Sequence, residues 1–262
     1  MEDKITKSRR LNAIVDAVCY WLGYQYKIGR QGLMHEASLR YPIADTITAN
    51  GIQIEKIVLE KPHPIFENKY IDLVILDNIV ENLETENNSD NLKEIYEFKL
   101  AKIQTRYATE QQRIFDDIVR LAYHHLWGDK ECYFLICGEY DDFKTHFVSQ
   151  KSKITINGGK LQALANQPMT TESIQEWKPE GMYQEWFGFK IGEEKIIEFD
   201  NSNPEFGLKP FQINYKVKNA EKHIYNSTFI IKTNCVAITP SAFEGVRTHA
   251  AGLWKIEAIK QK

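Results

Sequence analysis

Apolar residues recur at helical spacing over residues 5–23, where Leu11, Ile14, Val15, Val18, Trp21 and Leu22 share one side. The pattern predicts a helix there, stopped by Gly23. A second helical pattern covers 32–48, with Leu33, Ala37, Ile43, Ala44 and Ile47 on one side. Pro42 interrupts it. A proline lacks the backbone N–H and crowds the preceding turn, so a kink or break is expected near Tyr41. The period then changes from helical to alternating. Residues 52–60 (IQIEKIVLE) alternate as a half-buried strand does. Residues 70–77 (YIDLVILD) are apolar on both faces except for Asp72, the pattern of a strand covered on both sides.

Residues 79–92 carry four acids and no base, which predicts an exposed loop at the tip of a hairpin. A strand follows at 93–100 (KEIYEFKL) and a long helix at about 105–127, ended by Gly128-Asp129. The short apolar run 131–138 (ECYFLICG) predicts a buried central strand. Beyond it, 150–192 is loop-rich and aromatic, and strands are expected at 194–199, 211–218, 226–238 and 250–259. Helix, helix, three strands, helix, strand is the order of an α/β layer fold with helices covering a mixed sheet. The organisation expected is a core over 1–149 and a β-rich region over 150–262 that packs on the same domain or completes it.

Composition narrows the function classes. The 262 residues contain 33 Lys+Arg against 36 Asp+Glu, a net charge of -3, which argues against a protein that holds nucleic acid by bulk charge. Cys19, Cys132, Cys137 and Cys235 form no CxxC pair, so buried thiols in a reducing compartment are expected rather than a zinc site. No apolar run has the length of a membrane helix, and the charged start lacks a signal-peptide core. A cytoplasmic protein with no membrane partner is expected. The chain has neither a GxxxxGK[ST] phosphate loop nor a GxSxG elbow, which disfavours a P-loop ATPase and an α/β-hydrolase.

The chemistry concentrates in two neighbouring strands. Asp72 interrupts an apolar strand, and an unpaired charge buried there is costly. In the next strand, side-chain alternation puts Glu97 and Lys99 on the face of Ile95, opposite Tyr96, Phe98 and Leu100. A hairpin-like connection lets Asp72 and Glu97 converge on one divalent cation. Magnesium takes hard oxygen ligands, and two carboxylates can hold it against a scissile phosphate. Lys99 then points into the same site, where an ammonium orients or activates water or stabilises developing charge.

Asp72 followed by Glu97-x-Lys99 on the next strand, with helices on both sides, resembles the PD-(D/E)xK nuclease superfamily over roughly residues 32–138. The resemblance implies a restriction-endonuclease-like mixed sheet flanked by helices, here with additional C-terminal β-rich elements. It implies a Mg²⁺- or Mn²⁺-dependent endo- or exonuclease acting on nucleic acid, DNA in preference to RNA, and it allows a homodimer. Glu36, on the helix before the first strand, matches the additional acid of many members and would be a third metal ligand or a holder of metal-bound water. Gln111 matches the glutamine that several subfamilies carry on the helix after the ExK strand. Residue 71 is isoleucine where the motif's name has proline.

Helix geometry supports Gln111 as the sheet-facing amide. It lies about 20° from Ile118, at the centre of the apolar face, whereas Gln112, Asp116 and Asp117 fall outside that stripe. Arg40, Lys102 and Arg106 are the expected substrate-binding residues. With Arg9, Arg10 and Lys99 they would make a local basic surface that the net charge hides. The rival reading is a catalytically inactive nuclease-like module that binds nucleic acid or a protein. Other polar residues have plainer readings. His124-His125 suit a helix C-terminus, His63 a turn, Arg247 and His249 a surface loop, and the aromatics Trp177, Tyr183, Trp186, Phe187 and Phe189 a packed core.

Overall fold

A computed structural model describes residues 4–64, 66, 69–79, 91–101, 107–139, 143, 155–157, 160–162, 186–199, 229–239 and 249–260. The acidic stretch 80–90, the expected strand 211–218, Lys102, Arg106, Trp177, Tyr183 and Arg247 lie outside the described residues, as does the Gln111 side chain.

Helix α1 (Lys4–Lys27) runs past Gly23. The residue that leaves the right-handed conformation is Gly29, at φ +75°, so the stop falls one glycine later than the sequence suggests. Two short 3-10 turns, Gln31–Leu33 and Glu36–Leu39, replace the first half of the expected second helix. Helix α2 (Arg40–Ala49) begins just before Pro42. The proline sits in the first turn, where its missing N–H has no intrahelical partner to lose. Helix α3 (Tyr107–Gly128) ends at Asp129, which takes a left-handed φ of 49° and donates its N–H to the His125 carbonyl.

The strands are β1 (Ile57–Pro62), β2 (Tyr70–Leu76), β3 (Leu92–Ala101), β4 (Glu131–Glu139), β5 (Thr155–Asn157), β6 (Lys160–Gln162), β7 (Glu194–Phe199), β8 (Phe229–Ile238) and β9 (His249–Lys260). Residues 52–56, expected within the first strand, instead include the 3-10 turn Ile54–Lys56. A small hairpin, β5–β6, lies in the stretch read as loop-rich.

Seven strands form one mixed sheet in the order β1-β2-β3-β4-β9-β8-β7. The pair β3–β4 is parallel and is connected through α3, and the other pairings are antiparallel. Strand β4, buried along almost its whole length, is covered on its free edge by β9. The C-terminal strands therefore extend the same sheet as the N-terminal ones.

Side-chain alternation splits the core into two layers. Val74, Ile95, Cys132, Phe134, Ile136 and Trp254 pack with α3, together with Trp186 and Phe187. Leu73, Ile75, Tyr96, Phe98, Tyr133 and Leu135 pack with α1 and α2. All four cysteines are buried and unbridged. Among the described residues no helix is long and apolar enough to cross a membrane.

Candidate functional site

The hydrogen-bonded pairing of β2 with β3 runs from Leu76/Leu92 to Leu73/Tyr96. The next residue of β2 is Asp72, and the next of β3 is Glu97. Both are buried, on the side of the sheet that carries Val74 and Ile95. Asp72 acts as a local cap on β3, its Oδ2 accepting the Phe98 N–H at 2.9 Å. Its Oδ1 accepts from Arg40 Nη2 at 2.8 Å. The apolar strand that makes Asp72 conspicuous in the sequence also explains its burial, and the two donors meet the cost of keeping a carboxylate there.

Lys99 lies two residues beyond Glu97 and reaches two carboxylates. Its Nζ is 2.8 Å from Glu36 Oε1 and 2.8 Å from Asp117 Oδ2. Burial alone would lower the lysine, but the charges of Asp117 and Glu36 outweigh it and hold the ammonium above its ordinary range. Glu36 stands at the start of the 3-10 turn before α2. Burial raises its carboxyl, against the pull of Lys99.

From α3, Arg120 approaches Glu97 Oε1 at 3.4 Å and pairs with Asp117 one turn earlier. Asp117 is held below the usual carboxylate range despite its burial, by Arg120 and then Lys99. Glu97 goes the other way. Burial pushes it well up against the pull of Arg120 and Lys99, and the charges of Asp72 and Asp117 push it further. Lys69, just before β2, feels the same cluster. Burial and then Arg120 lower its amine, while Asp116, Asp117 and Glu97 oppose them.

Glu60 completes the polar shell. Its Oε1 accepts from Arg40 Nη1 at 2.5 Å, so one guanidinium bridges Glu60 and Asp72. Glu60 has φ 51°, a left-handed conformation in the middle of β1. For a non-glycine residue that conformation costs on the order of 1–3 kcal/mol and persists where the surroundings enforce it.

The structure thus brings together Asp72, Glu97, Lys99, Glu36 and Arg40. It adds Asp117, Arg120 and Glu60, which the sequence reading left out. Asp117 corrects that reading directly. A helical wheel puts it outside the apolar stripe, yet it is buried and meets Lys99. Helix α3 is buried on more than one side between Ile114 and His124, and a wheel built on a single face misses that. The local basic surface also needs correction. Arg10 is fully buried on Glu94, while Arg40 and Lys99 are engaged by acids of the cluster.

Several secondary residues sort toward packing. His63 and His124 are buried with their Nε2 atoms 2.9 Å apart. Trp186 packs on Phe115, and Phe187 lies between Phe134 and Trp254.

The cluster fits a divalent cation in its chemistry and charge. Asp72, Glu97 and Glu36 supply hard oxygen donors. The raised Glu97 carboxyl, buried beside Asp72 and Asp117, is the condition that added positive charge relieves. The donors are not drawn together into a finished cage. Among the described residues no group of three or more His, Cys, Asp or Glu side chains stands in a metal-holding arrangement. Arg40 and Arg120 occupy the counter-ion positions.

A cluster of buried ion pairs is weak evidence of a stabilising role. Taking several ions out of water costs several kcal/mol each, and apolar residues of similar volume commonly serve a core as well or better. The perturbed titratable groups gathered where the β2–β3 pairing ends make this cluster the candidate functional site. Comparison of the chain with protein-family models, curated proteins and solved structures finds no significant match in any of the three.

Proposed function

We propose that this protein is a restriction-endonuclease-like, Mg²⁺- or Mn²⁺-dependent phosphodiesterase acting on nucleic acid, DNA in preference to RNA. The observation that carries the reading is the meeting of Asp72, Glu97 and Lys99 where the β2–β3 pairing ends, with Glu36 sharing the Lys99 ammonium. Asp72 and Glu97 would hold the cation, and Glu36 would join them or hold water. When bound, the ion supplies Lewis-acid polarisation of the phosphate and acidification of water.

The chain's own groups do the rest. Lys99, pinned between Asp117 and Glu36, remains an ammonium. It suits stabilising charge on the phosphate and orienting water, and it is a poor general base. Asp117 and Arg120 keep the Lys99 and Glu97 side chains on the site side of β3. Arg40 lies at the rim, where a guanidinium can meet a phosphate.

A second reading has its own observation. Asp72, Glu97 and Lys99 each have a partner of opposite charge, and the described residues hold no ready three-ligand cage. Such an arrangement also suits a nuclease-like binding module without catalysis.

Purified protein incubated with labelled DNA or RNA and Mn²⁺ separates the two. The expected result is cleavage that falls by at least about a hundredfold in Asp72→Ala and in Glu97→Ala. Equal rates in wild type and both variants would leave the binding module as the better description.

A further inference from the structure

Glu60 is the one acid of the cluster that is both strained in its backbone and open to water. It lies in β1 between Leu59, which pairs with Leu73, and Lys61, which pairs with Ile71. That register sets it opposite Asp72. Its φ of 51° is a conformation that an L side chain rarely adopts inside a strand.

The Glu60 side chain is 61% exposed, whereas that of Asp72 is 11% exposed. The Arg40 guanidinium joins the two, with Nη1 on Glu60 and Nη2 on Asp72. Because the Phe98 N–H already takes Asp72 Oδ2, Arg40 caps the other oxygen. A cation approaching Oδ1 meets a positive charge first.

We propose that Arg40 and Glu60 form a counter-ion latch on Asp72. The guanidinium covers Oδ1 while no cation is bound and retires onto Glu60 when a divalent cation arrives. This inference rests on the reading of Asp72 as a metal ligand. The latch explains why a strained position in β1 carries a glutamate. A carboxylate there keeps Arg40 at the site after it lets go of Asp72, and no unpaired guanidinium is left behind. A planar fork with two separate Nη donors, one for each carboxylate, suits the bridge.

The test is a calorimetric Mn²⁺ titration of the full chain as wild type, Arg40→Gln, Glu60→Gln and the double variant, with Asp72→Ala as the control. Each protein is melted without metal to show that it folds. Glu60→Gln is expected to weaken Mn²⁺ binding by about three- to tenfold, because Arg40 then has only Asp72 to hold. Arg40→Gln is expected to tighten binding by a similar factor. In the Arg40→Gln background Glu60→Gln is expected to do nothing further, since the competitor is already gone.

Equal weakening by Glu60→Gln in both backgrounds would overturn the latch and leave a plain loss of negative charge. An unchanged affinity in Glu60→Gln would overturn it as well. Should Arg40→Gln not melt cooperatively, Arg40→Met takes its place in the cycle. Methionine keeps the length of the stem and carries no charge, so the Glu60 effect should vanish in that background, and an undiminished effect counts against the latch. Absence of Asp72-dependent Mn²⁺ binding in every protein would remove the metal-site reading and the latch with it. Asp72-dependent binding that is indifferent to Glu60 would remove the latch alone.

Discussion

The histidine pair on α3 and the β1–β2 connection shows how burial sets the behaviour of single groups. The Phe66 N–H donates to His63 Nδ1, so a neutral His63 carries its proton on Nε2 and donates it to His124 Nε2. Protonating His124 would put a proton on both sides of that bond. Burial, then the charges of Arg120 and Lys130, lower His124 to about 3. The folded state thus binds fewer protons than the unfolded chain between about 6.5 and that value. The stability contributed is complete above about 6.5 and is lost as pH falls. Lowering the pH from 7 to 5 should therefore lower the thermal midpoint, with His124 contributing about 1–2 kcal/mol. His124→Gln should flatten that dependence, and an identical pH profile in the variant would contradict this account. Glu97 and Glu36 have the opposite sign. Their raised carboxyls favour the fold at low pH and lose that contribution as pH rises.

At the scale of elements, a buried ion pair ties α1 to the sheet. Arg10 donates from Nη2 to Glu94 Oε1 at 2.8 Å and from Nη1 to Tyr96 Oη at 3.0 Å, and Tyr96 donates to Glu94 Oε2 at 2.6 Å. Every member is buried, and Tyr96 stacks on Tyr133 of β4. Arg10→Met leaves the Glu94 carboxylate without its main partner inside the core. Urea unfolding should show a loss of about 3–5 kcal/mol, most of it recovered when Glu94→Gln is added. A loss below about 1 kcal/mol would mean that Lys7, 3.8 Å from Glu94, suffices alone. This pair was not legible in the sequence, where Arg10 reads as part of a basic surface. Nothing local distinguishes an arginine that faces water from one that faces a glutamate 84 positions away. The same limit applies to Asp117 and Arg120, whose burial depends on what covers the sides of α3.

At the scale of the molecule, the sheet is continuous across the whole chain. Strand β9 sits between β4 and β8, so residues 249–260 cover the edge of the most apolar strand of the N-terminal part. A chain ending after residue 149 would expose the β4 edge together with the face that Trp254 and Phe187 cover. Such a truncation should show no cooperative thermal transition by circular dichroism. A sharp transition near that of the full chain would show that the first part holds its own core.

Much of this architecture is determined by local pattern. The three main helices, the buried strand at 131–138 and the C-terminal strands at 194–199, 226–238 and 250–259 are visible as periods of 3.6 and 2, because burial of one face selects those spacings. The shared face of Glu97 and Lys99, and the anomaly of Asp72 in an apolar run, follow from alternation in the same way. Only the tertiary structure decided which charges meet. It set Arg40 between Glu60 and Asp72, clamped Lys99 between Glu36 and Asp117, and laid β9 against β4. These pairings join residues far apart in the chain. They depend on strand register and on which helix covers which face, and those are settled by packing of the whole molecule.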